Sequence, residues 1–478
     1  MTSSTAATVA GSGERRHRRR LALTLALLAF AQLIISIDYN IVFVALPEIG
    51  HGLGFTAQTQ QWVVSAYAVI FGGFLLLGGR AADLLGRRRM FIAGLVLYAV
   101  ASLAGGLATS SLLLVAARAV QGLGGALLFP ATLSLVNTMF AEGKERNRAL
   151  AVWSGSGAGG LVLGSLLGGL LTEAFAWQAV FFVNVPLAVI AIGFGFALIA
   201  RDAPREHGRR FDLPGALTAT VGATLLVFAL VQGPELGWGS PGVVISAVIA
   251  VLLLASFVLI EKRSADPLLP LRLLRNRNLS TGVTITFLFT STFGSLLYLL
   301  TIYFQGAHGY SALEAGVAYL LPMAIVLCGN TLGGRLLTRL GVRLTITCSL
   351  AVLAVGAAVL GLGMSATSSY AALIPGLVLF GIGGGVTFTS MFAAAASGVD
   401  AAEQGIASGI ASTGQQVGTA VGLAVLVAIA NARTAGVSAA ELPAATADGV
   451  RTAVFVAAAG IVVMVLVALN FKRSGATG

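Results

Sequence analysis

Apolar stretches long enough to cross a bilayer recur along the whole 478-residue chain. A membrane helix needs about 20 mostly apolar residues. Fourteen such stretches occur, near 21–45, 61–79, 90–108, 112–133, 149–171, 178–199, 213–232, 242–260, 279–305, 313–333, 344–363, 371–392, 405–430 and 452–471. Only 10% of the residues are charged, against about 25% in an ordinary soluble domain. A soluble enzyme and a disordered chain are excluded on that ground. Pro130, Pro186, Pro322 and Pro375 lie inside stretches. Membrane helices tolerate them because neighbouring helices re-satisfy the freed backbone groups. The first stretch is longer than a signal-peptide core and lacks a clear small-x-small cleavage site, so it reads as a retained span.

The net charge of +11 raises the question of a nucleic-acid partner, and the positions of Lys and Arg answer it. With the N-terminus placed in the cytoplasm, 26 of the 29 fall in inner segments. Only Arg433 and Arg451 fall outside, and Arg118 lies within a span. This is the positive-inside pattern of a membrane protein. Both termini are expected in the cytoplasm, with a lipid bilayer and no nucleic acid as surroundings. High Ala, Gly and Arg with three lysines suggests a GC-rich bacterium, and hence its plasma (inner) membrane. Cys328 and Cys348 form no CxxC, and the four histidines have no metal-ligand spacing, so no metal is expected. No phosphate-binding loop motif is present. The expected chain is not an enzyme, carries no cofactor and does not run on ATP.

The chain repeats itself. Gly78-Gly79-Arg80 to Gly86-Arg87-Arg88 after span 2 returns as Gly333-Gly334-Arg335 to Gly341-Val342-Arg343 after span 10. Gln121-Gly122-Leu123-Gly124-Gly125 in span 4 is echoed by Phe380-Gly381-Ile382-Gly383-Gly384 in span 12, and Gly160, Gly164 and Gly168 by Gly414, Gly418 and Gly422. The expected organisation is an all-α polytopic membrane protein of two six-helix halves with two additional central spans. Its segments are a basic N-tail (1–20), a first half (21–200), the inserted pair with its flanking loop (201–262), a cytoplasmic linker (263–278), and a second half with a short tail (279–478). Such repeats mark secondary transporters, whose substrate path lies between the halves.

Asp38 is the one acid placed well inside a span, where a charge costs roughly 2.5–3.5 kcal/mol on insertion scales. It is the residue expected to take up and give back a proton. Arg118 is the one base at that depth; Gln121, Gly122 and Gly125 share its helix face. Arginine stays charged, so another group must match it. In the loop 79–89, Gly79, Asp83, Gly86, Arg87 and Arg88 suggest a cytoplasmic gate, with Asp83 pairing an arginine or capping a helix. Gly155, Gly164, Gly168 and Gly169, with Gly157 and Gly160, give span 5 a small-residue face for close packing. Gln32, Asn40, Trp62, Tyr67, Gln121, Tyr298, Gln305, Asn330 and Gln415 are candidate cavity residues.

Together these residues resemble the major facilitator superfamily, and within it the fourteen-span drug:proton antiporter branch. The resemblance covers residues 21–472. Asp38-Tyr39-Asn40 through Leu46-Pro47 is similar to the branch's first span, whose Asp is the proton site; Asn40 stands where the branch has Thr. Trp62 to Tyr67 is similar to the start of the second span. The 79–89 loop matches the superfamily's cytoplasmic signature, and 113–125, with Arg118 and Gly122, the fourth-span pattern linked to proton transfer. The stretch 155–169 matches the antiporter signature, with Ser165 where that signature has Pro. Trp177 to Pro186, including Asn184, and the stretch from Phe211-Asp212 to Gly237-Trp238 are also similar.

The resemblance implies export of a hydrophobic drug, antibiotic or toxic metabolite in exchange for protons, by alternating access, with the proton gradient as energy source. Protons and a small hydrophobic molecule are the expected partners, and a monomer the working unit. One intramembrane carboxylate suits a neutral, zwitterionic or singly charged substrate better than a dication. Proton-coupled import by the same fold is the alternative that Ser165 leaves open. A sensor or scaffold would be expected to carry an additional soluble domain, and the largest outer connection, 431–450, is short.

Overall fold

The computed structural model describes residues 3–55, 60, 62–202, 212–264, 267, 269–310, 312–434, 437–438 and 440–471. Met1, Thr2, the flanking loop 203–211 with Phe211, parts of the linker, and the tail with Lys472 and Arg473 lie outside the described residues. Among the described residues there is no strand.

Thirteen described helices are long and apolar enough to cross a membrane. The first six are α1 (Ser3–Leu53), α2 (Trp62–Leu85), α3 (Arg87–Gly106), α4 (Ser111–Met139), α5 (Lys144–Ala174) and α6 (Ala179–Leu198). Next come α7 (Leu213–Leu236) and α8 (Pro241–Glu261). The last five are α9 (Arg277–Ala307), α10 (Ala312–Gly363), α11 (Tyr370–Ala396), α12 (Gln404–Asn431) and α13 (Leu442–Ala468).

The helix α10 has 52 residues. At 1.5 Å per residue that is about 78 Å, more than twice the roughly 30 Å hydrocarbon core. It breaks at Gly341, where φ is 74° and ψ is 172°. Glycine takes this conformation without a Cβ clash. Its two arms correspond to the stretches 313–333 and 344–363, so dividing α10 at Gly341 yields fourteen crossings. The expected loop between them, 335–343, is instead helical apart from that one residue. The N-tail likewise continues α1 as helix from Ser3, and the linker contains a 3-10 turn, Leu271–Arg275. The helix α9 is interrupted by π turns at Thr290–Gly294 and Tyr303–Ala307.

Packing repeats between the two groups, and glycines show where. Gly122 of α4 lies against the Tyr67 backbone of α2, and Gly381 of α11 against Pro322 of α10. Gly124 meets α3 at Gly94 and Tyr98, as Gly383 meets the second arm of α10 at Leu353. Gly160, Gly164 and Gly168 of α5 rest on Leu33, Ile37 and Ile41 of α1. Gly414, Gly418 and Gly422 of α12 rest on Val283, Phe287 and Ser291 of α9 in the same way. A side chain at these glycines would hold the paired helices apart.

The added pair is seated from one side. The helix α7 packs on α2, with Thr224 against Gly73 and Phe228 stacked on Trp62, and also meets α12. The helix α8 packs on α7 and turns Val251 and Leu252, more than 60% exposed, outward. A continuous apolar exterior of this kind suits lipid, not water.

A Cβ at Gly164 would lie 2.5 Å from the Ile37 carbonyl oxygen, whereas at Gly169 it meets nothing within 4 Å. Gly164→Leu is therefore expected to lower the thermal unfolding midpoint in detergent, at an overpacking cost of about 1–3 kcal/mol. Gly169→Leu is expected to leave the midpoint unchanged. Equal midpoints for the two variants would contradict this packing.

Candidate functional site

Asp38 is fully buried on α1, and its partners come from two other helices, α4 and α6. Arg118 and Gln121 lie one turn apart on α4, so both reach the same point. Arg118 Nη1 donates to Asp38 Oδ2 at 2.7 Å, and Gln121 Nε2 to Asp38 Oδ1 at 2.7 Å. Asn184 of α6 donates through Nδ2 to Oδ1, also at 2.7 Å. Gln121 binds Ser102 of α3 at 2.9 Å and accepts from Arg118 Nη1 at 2.7 Å. Arg118 further donates from Nε to the Val63 carbonyl at 2.9 Å, and its guanidinium sits 4.5 Å above the Tyr67 ring.

The charges are thus matched, and the carboxylate accepts three hydrogen bonds, two on Oδ1 and one on Oδ2. Arg118 is 1% exposed and Asp38 is not exposed at all. A buried ion pair is held by such surrounding hydrogen bonds, and removing one partner strands the other charge. The cation also lies against the electron-rich face of Tyr67. From Tyr67, rings continue in contact through Phe71, Phe129 and Trp153 to Phe392 of α11, at centroid separations of 5.5, 6.0, 5.3 and 5.3 Å. The row joins the ion pair to the boundary between the two helix groups.

The 79–89 loop forms the second constellation. Gly79 packs on Gly405 and Gly409 of α12. One turn on, Asp83 accepts from the backbone N–H groups of Gly405 and Ile406 at 3.1 and 2.9 Å. Those first-turn N–H groups lack helical partners, and the helix N-terminus favours an anion. Arg87 donates to Asp83 at 3.2 Å and to the Ala401 carbonyl before α12. Gly86 has φ 106°, which a side chain rarely adopts. Beside it, Asp202 accepts from the N–H groups of Arg88 and Arg89, both at 3.0 Å, capping α3. Arg88 reaches back to the Phe196 carbonyl at 2.8 Å.

The repeat of this loop closes a second seam. Gly334 packs on Asn147 and Ala151 of α5, and Asn147 Nδ2 donates to Thr338 at 3.2 Å. Thr338 occupies the repeat position of Asp83, so one seam is charged and the other neutral. The linker joins the same region: Arg272 pairs with Glu403, and Asn276 donates to the Gly398 carbonyl at 2.8 Å.

Of the nine candidate cavity residues, Tyr67 and Gln121 meet on Arg118, and the others have separate neighbours. Gln32 lies against Gly157, with Nε2 3.5 Å from Ser36. Asn40 donates to the Leu161 carbonyl at 2.8 Å and to Ser165 at 2.7 Å. Trp62 stacks on Phe228. Tyr298 and Gln305 are exposed on α9. Asn330 is buried against Thr389 of α11, and the Gln415 carbonyl accepts from Thr290 and Thr419. Of the span-5 glycines, Gly164 and Gly168 pack on α1, Gly155 faces Leu327 of α10, and Gly169 meets nothing.

Sequence reasoning missed Ser102, Asp202 and the carbonyl of Val63. Asn184 carried a signal, as a polar residue within an apolar run. Among the described residues, no three His, Cys, Asp or Glu side chains come together in a way that could hold a metal.

Residues 28–423 match the family described as Major Facilitator Superfamily. The puromycin resistance protein pur8 of Streptomyces alboniger is 40% identical over 331 residues, 69% of this chain and 65% of its own length. The cephamycin export protein CmcT of Amycolatopsis lactamdurans is 38% identical over 474 residues, 98% of this chain and 97% of its own. The lincomycin resistance protein of Streptomyces lincolnensis is 36% identical over 369 residues, 76% of this chain and 72% of its own. The chain thus spans just under two thirds of the first relative and nearly all of the second. Among solved structures, the human organic anion transporter MFSD10 superposes with a TM-score of 0.70 at 16% identity, covering 94% of this chain and 99% of that one. The proton:xylose symporter XylE gives 0.66 at 14%, covering 94% and 95%. These two likenesses concern the fold.

Asp38→Asn keeps the size of the side chain and strands Arg118. It is expected to destabilise the purified protein by about 3–5 kcal/mol. Adding Arg118→Gln is expected to recover most of that loss in a thermal melt. An Asp38→Asn protein as stable as its parent would contradict the pairing.

Proposed function

The chain belongs to the major facilitator superfamily, and from that premise we propose that it exports hydrophobic small molecules in exchange for protons, by alternating access of its two halves. The observation that carries this reading is the Asp38–Arg118 pair, buried inside one half at membrane depth. The repeat positions in the other half hold Leu288 and Leu377, so one half carries the charge machinery. The names of the relatives, resistance to puromycin and lincomycin and export of cephamycin, support small-molecule export of drug or antibiotic type.

In the proposed cycle a proton neutralises Asp38, and the Arg118–Asp38 contact ceases to be an ion pair while Arg118 stays cationic. Arg118 keeps Gln121, Val63 and the Tyr67 ring as partners. The ring row from Tyr67 to Phe392 carries the rearrangement to the boundary between halves. There the Asp83 contact with the start of α12 opens and re-forms as the cytoplasmic gate, while Gly164 and Gly168 let α5 slide on α1. The face bearing Arg87, Arg88 and Arg89 is assigned to the cytoplasm, and both termini with it, in a bacterial plasma membrane. The segment limits 21–200, 201–262 and 279–478 serve as the two halves and the inserted pair, within a monomer. One proton crossing about 100 mV supplies roughly 2.3 kcal/mol, and each pH unit adds about 1.4 kcal/mol. No bound cofactor is required by this scheme.

Proteoliposomes with an imposed pH gradient test it, using puromycin, lincomycin and chloramphenicol as a panel. Antiport predicts that substrate accumulates in the acidic compartment and that adding substrate to preloaded vesicles dissipates the gradient. Movement of substrate together with protons would replace export by the symport reading, and absence of any flux across the panel would defeat both.

A further inference from the structure

Behind the Asp83 contact lies a small space that the scheme above does not use. It is closed in this structure, with no room for a water molecule, and is walled by Leu133 and Asn137 of α4, Phe392, Ala395 and Ala396 of α11, and Ala407, Ser408 and Ala411 of α12. These walls belong to both halves. Asn137 is 2% exposed and Ser408 is 3% exposed. The Asn137 Oδ1 and Ser408 Oγ atoms are buried without a hydrogen-bond partner. Native proteins rarely leave such atoms unsatisfied, because each costs free energy. Two in one space, from opposite sides of a closable seam, point to a ligand that satisfies them in another state.

The position supports this. Ala407 and Ser408 directly follow Gly405 and Ile406, whose N–H groups hold Asp83. Asn137 is two residues from the end of α4, and Ala396 is the last residue of α11. Parting Asp83 from α12 therefore draws one wall of the space away from the other. As it stands nothing the size of a water fits between these walls, against roughly 300–1,000 Å3 for a small-molecule site, so occupancy requires that parting. Phe392 packs edge-on against Trp153, and Trp153 Nε1 is also buried without a partner.

Resting on the export reading, we propose that Asn137, Ser408 and Phe392 form the cytoplasmic loading site for an uncharged substrate with a flat apolar body and both donor and acceptor groups. The chemistry follows from the walls. None of the lining residues is charged, and a net charge placed there would be left unpaired. Phe392 offers a ring face or edge to a flat molecule. The Asn137 amide and the Ser408 hydroxyl take and give hydrogen bonds.

Chloramphenicol, an uncharged aromatic amide with hydroxyl groups, is the probe, and the cation ethidium is its contrast. In the full chain carrying Cys328→Ser and Cys348→Ser, Ser408→Cys is labelled in everted vesicles with a membrane-impermeant maleimide. Labelling is expected to be slow, to accelerate at least tenfold when Asp83→Asn is added, and to be slowed at least threefold by chloramphenicol and not by ethidium. In a separate transport assay, Asn137→Leu and Ser408→Ala are each expected to raise KM for chloramphenicol about three- to tenfold, the value of one neutral hydrogen bond, with Vmax within twofold. A merely structural role would lower Vmax and leave KM in place. The site is overturned if Ser408→Cys becomes accessible but chloramphenicol gives no protection, or if both variants keep the parental KM. Flux through the parent reports on the export reading separately, so loss of the loading site with intact flux leaves that reading standing.

Discussion

Two opposite charges in a low-dielectric interior must stay together, and that constraint organises the first half of this protein. Asp38 and Arg118 are both out of contact with solvent, and each is surrounded by groups that suit its charge. The bonds run from α1 to α4 and α6, with Ser102 of α3 and Val63 of α2 one step further out. Five helices therefore converge on one carboxylate. A change in its protonation cannot remain local, because it alters what four neighbouring helices are bonded to. The second half keeps the same helix packing with Leu288 and Leu377 at the corresponding places, and its core needs no such arrangement.

The joint between the halves follows a different physical rule. Small residues bring backbones together, and helix N-termini receive what the partner presents. Gly79 and Asp83 approach the start of α12, while Gly334 and Thr338 approach the first turns of α5. The geometry is repeated, but the chemistry is not. A carboxylate on backbone N–H groups is a charge-assisted contact, roughly twice as strong as a neutral one. The Thr338–Asn147 contact is neutral. The α2–α12 seam thus carries the stronger polar contact of the two, and it is also the one flanked by Arg87, Glu403 and the linker residue Arg272.

Much of this was legible in the residues themselves. Apolar stretches, the repeated glycine patterns, and a single acid and base at membrane depth depend on composition and spacing, which a sequence displays directly. That Asp38 and Arg118 are each other's partners was not written there, because they are 80 residues apart and no local rule joins them. Ser102 and Asp202 were invisible for a related reason: a serine among many in the apolar stretches, and an aspartate after one, have no distinguishing pattern until the fold brings them to Gln121 and to the α3 N-terminus. Asn40 and Ser165 are the instructive case. Each departs from the branch pattern when taken alone, yet they are hydrogen-bonded to one another across α1 and α5. The continuous α10 shows the limit of span counting, since a single glycine at positive φ separates two crossings without any loop.

In the proposed cycle, proton movement is coupled to substrate movement at Asp38. The most direct measurement compares two fluxes in proteoliposomes containing Asp38→Asn/Arg118→Gln, the charge-free pair. One is accumulation driven by a pH gradient, and the other is exchange of labelled for unlabelled substrate with no gradient. Exchange is expected to persist, because the halves still alternate around the substrate, while pH-driven accumulation is lost. Full accumulation by the charge-free protein would contradict that coupling.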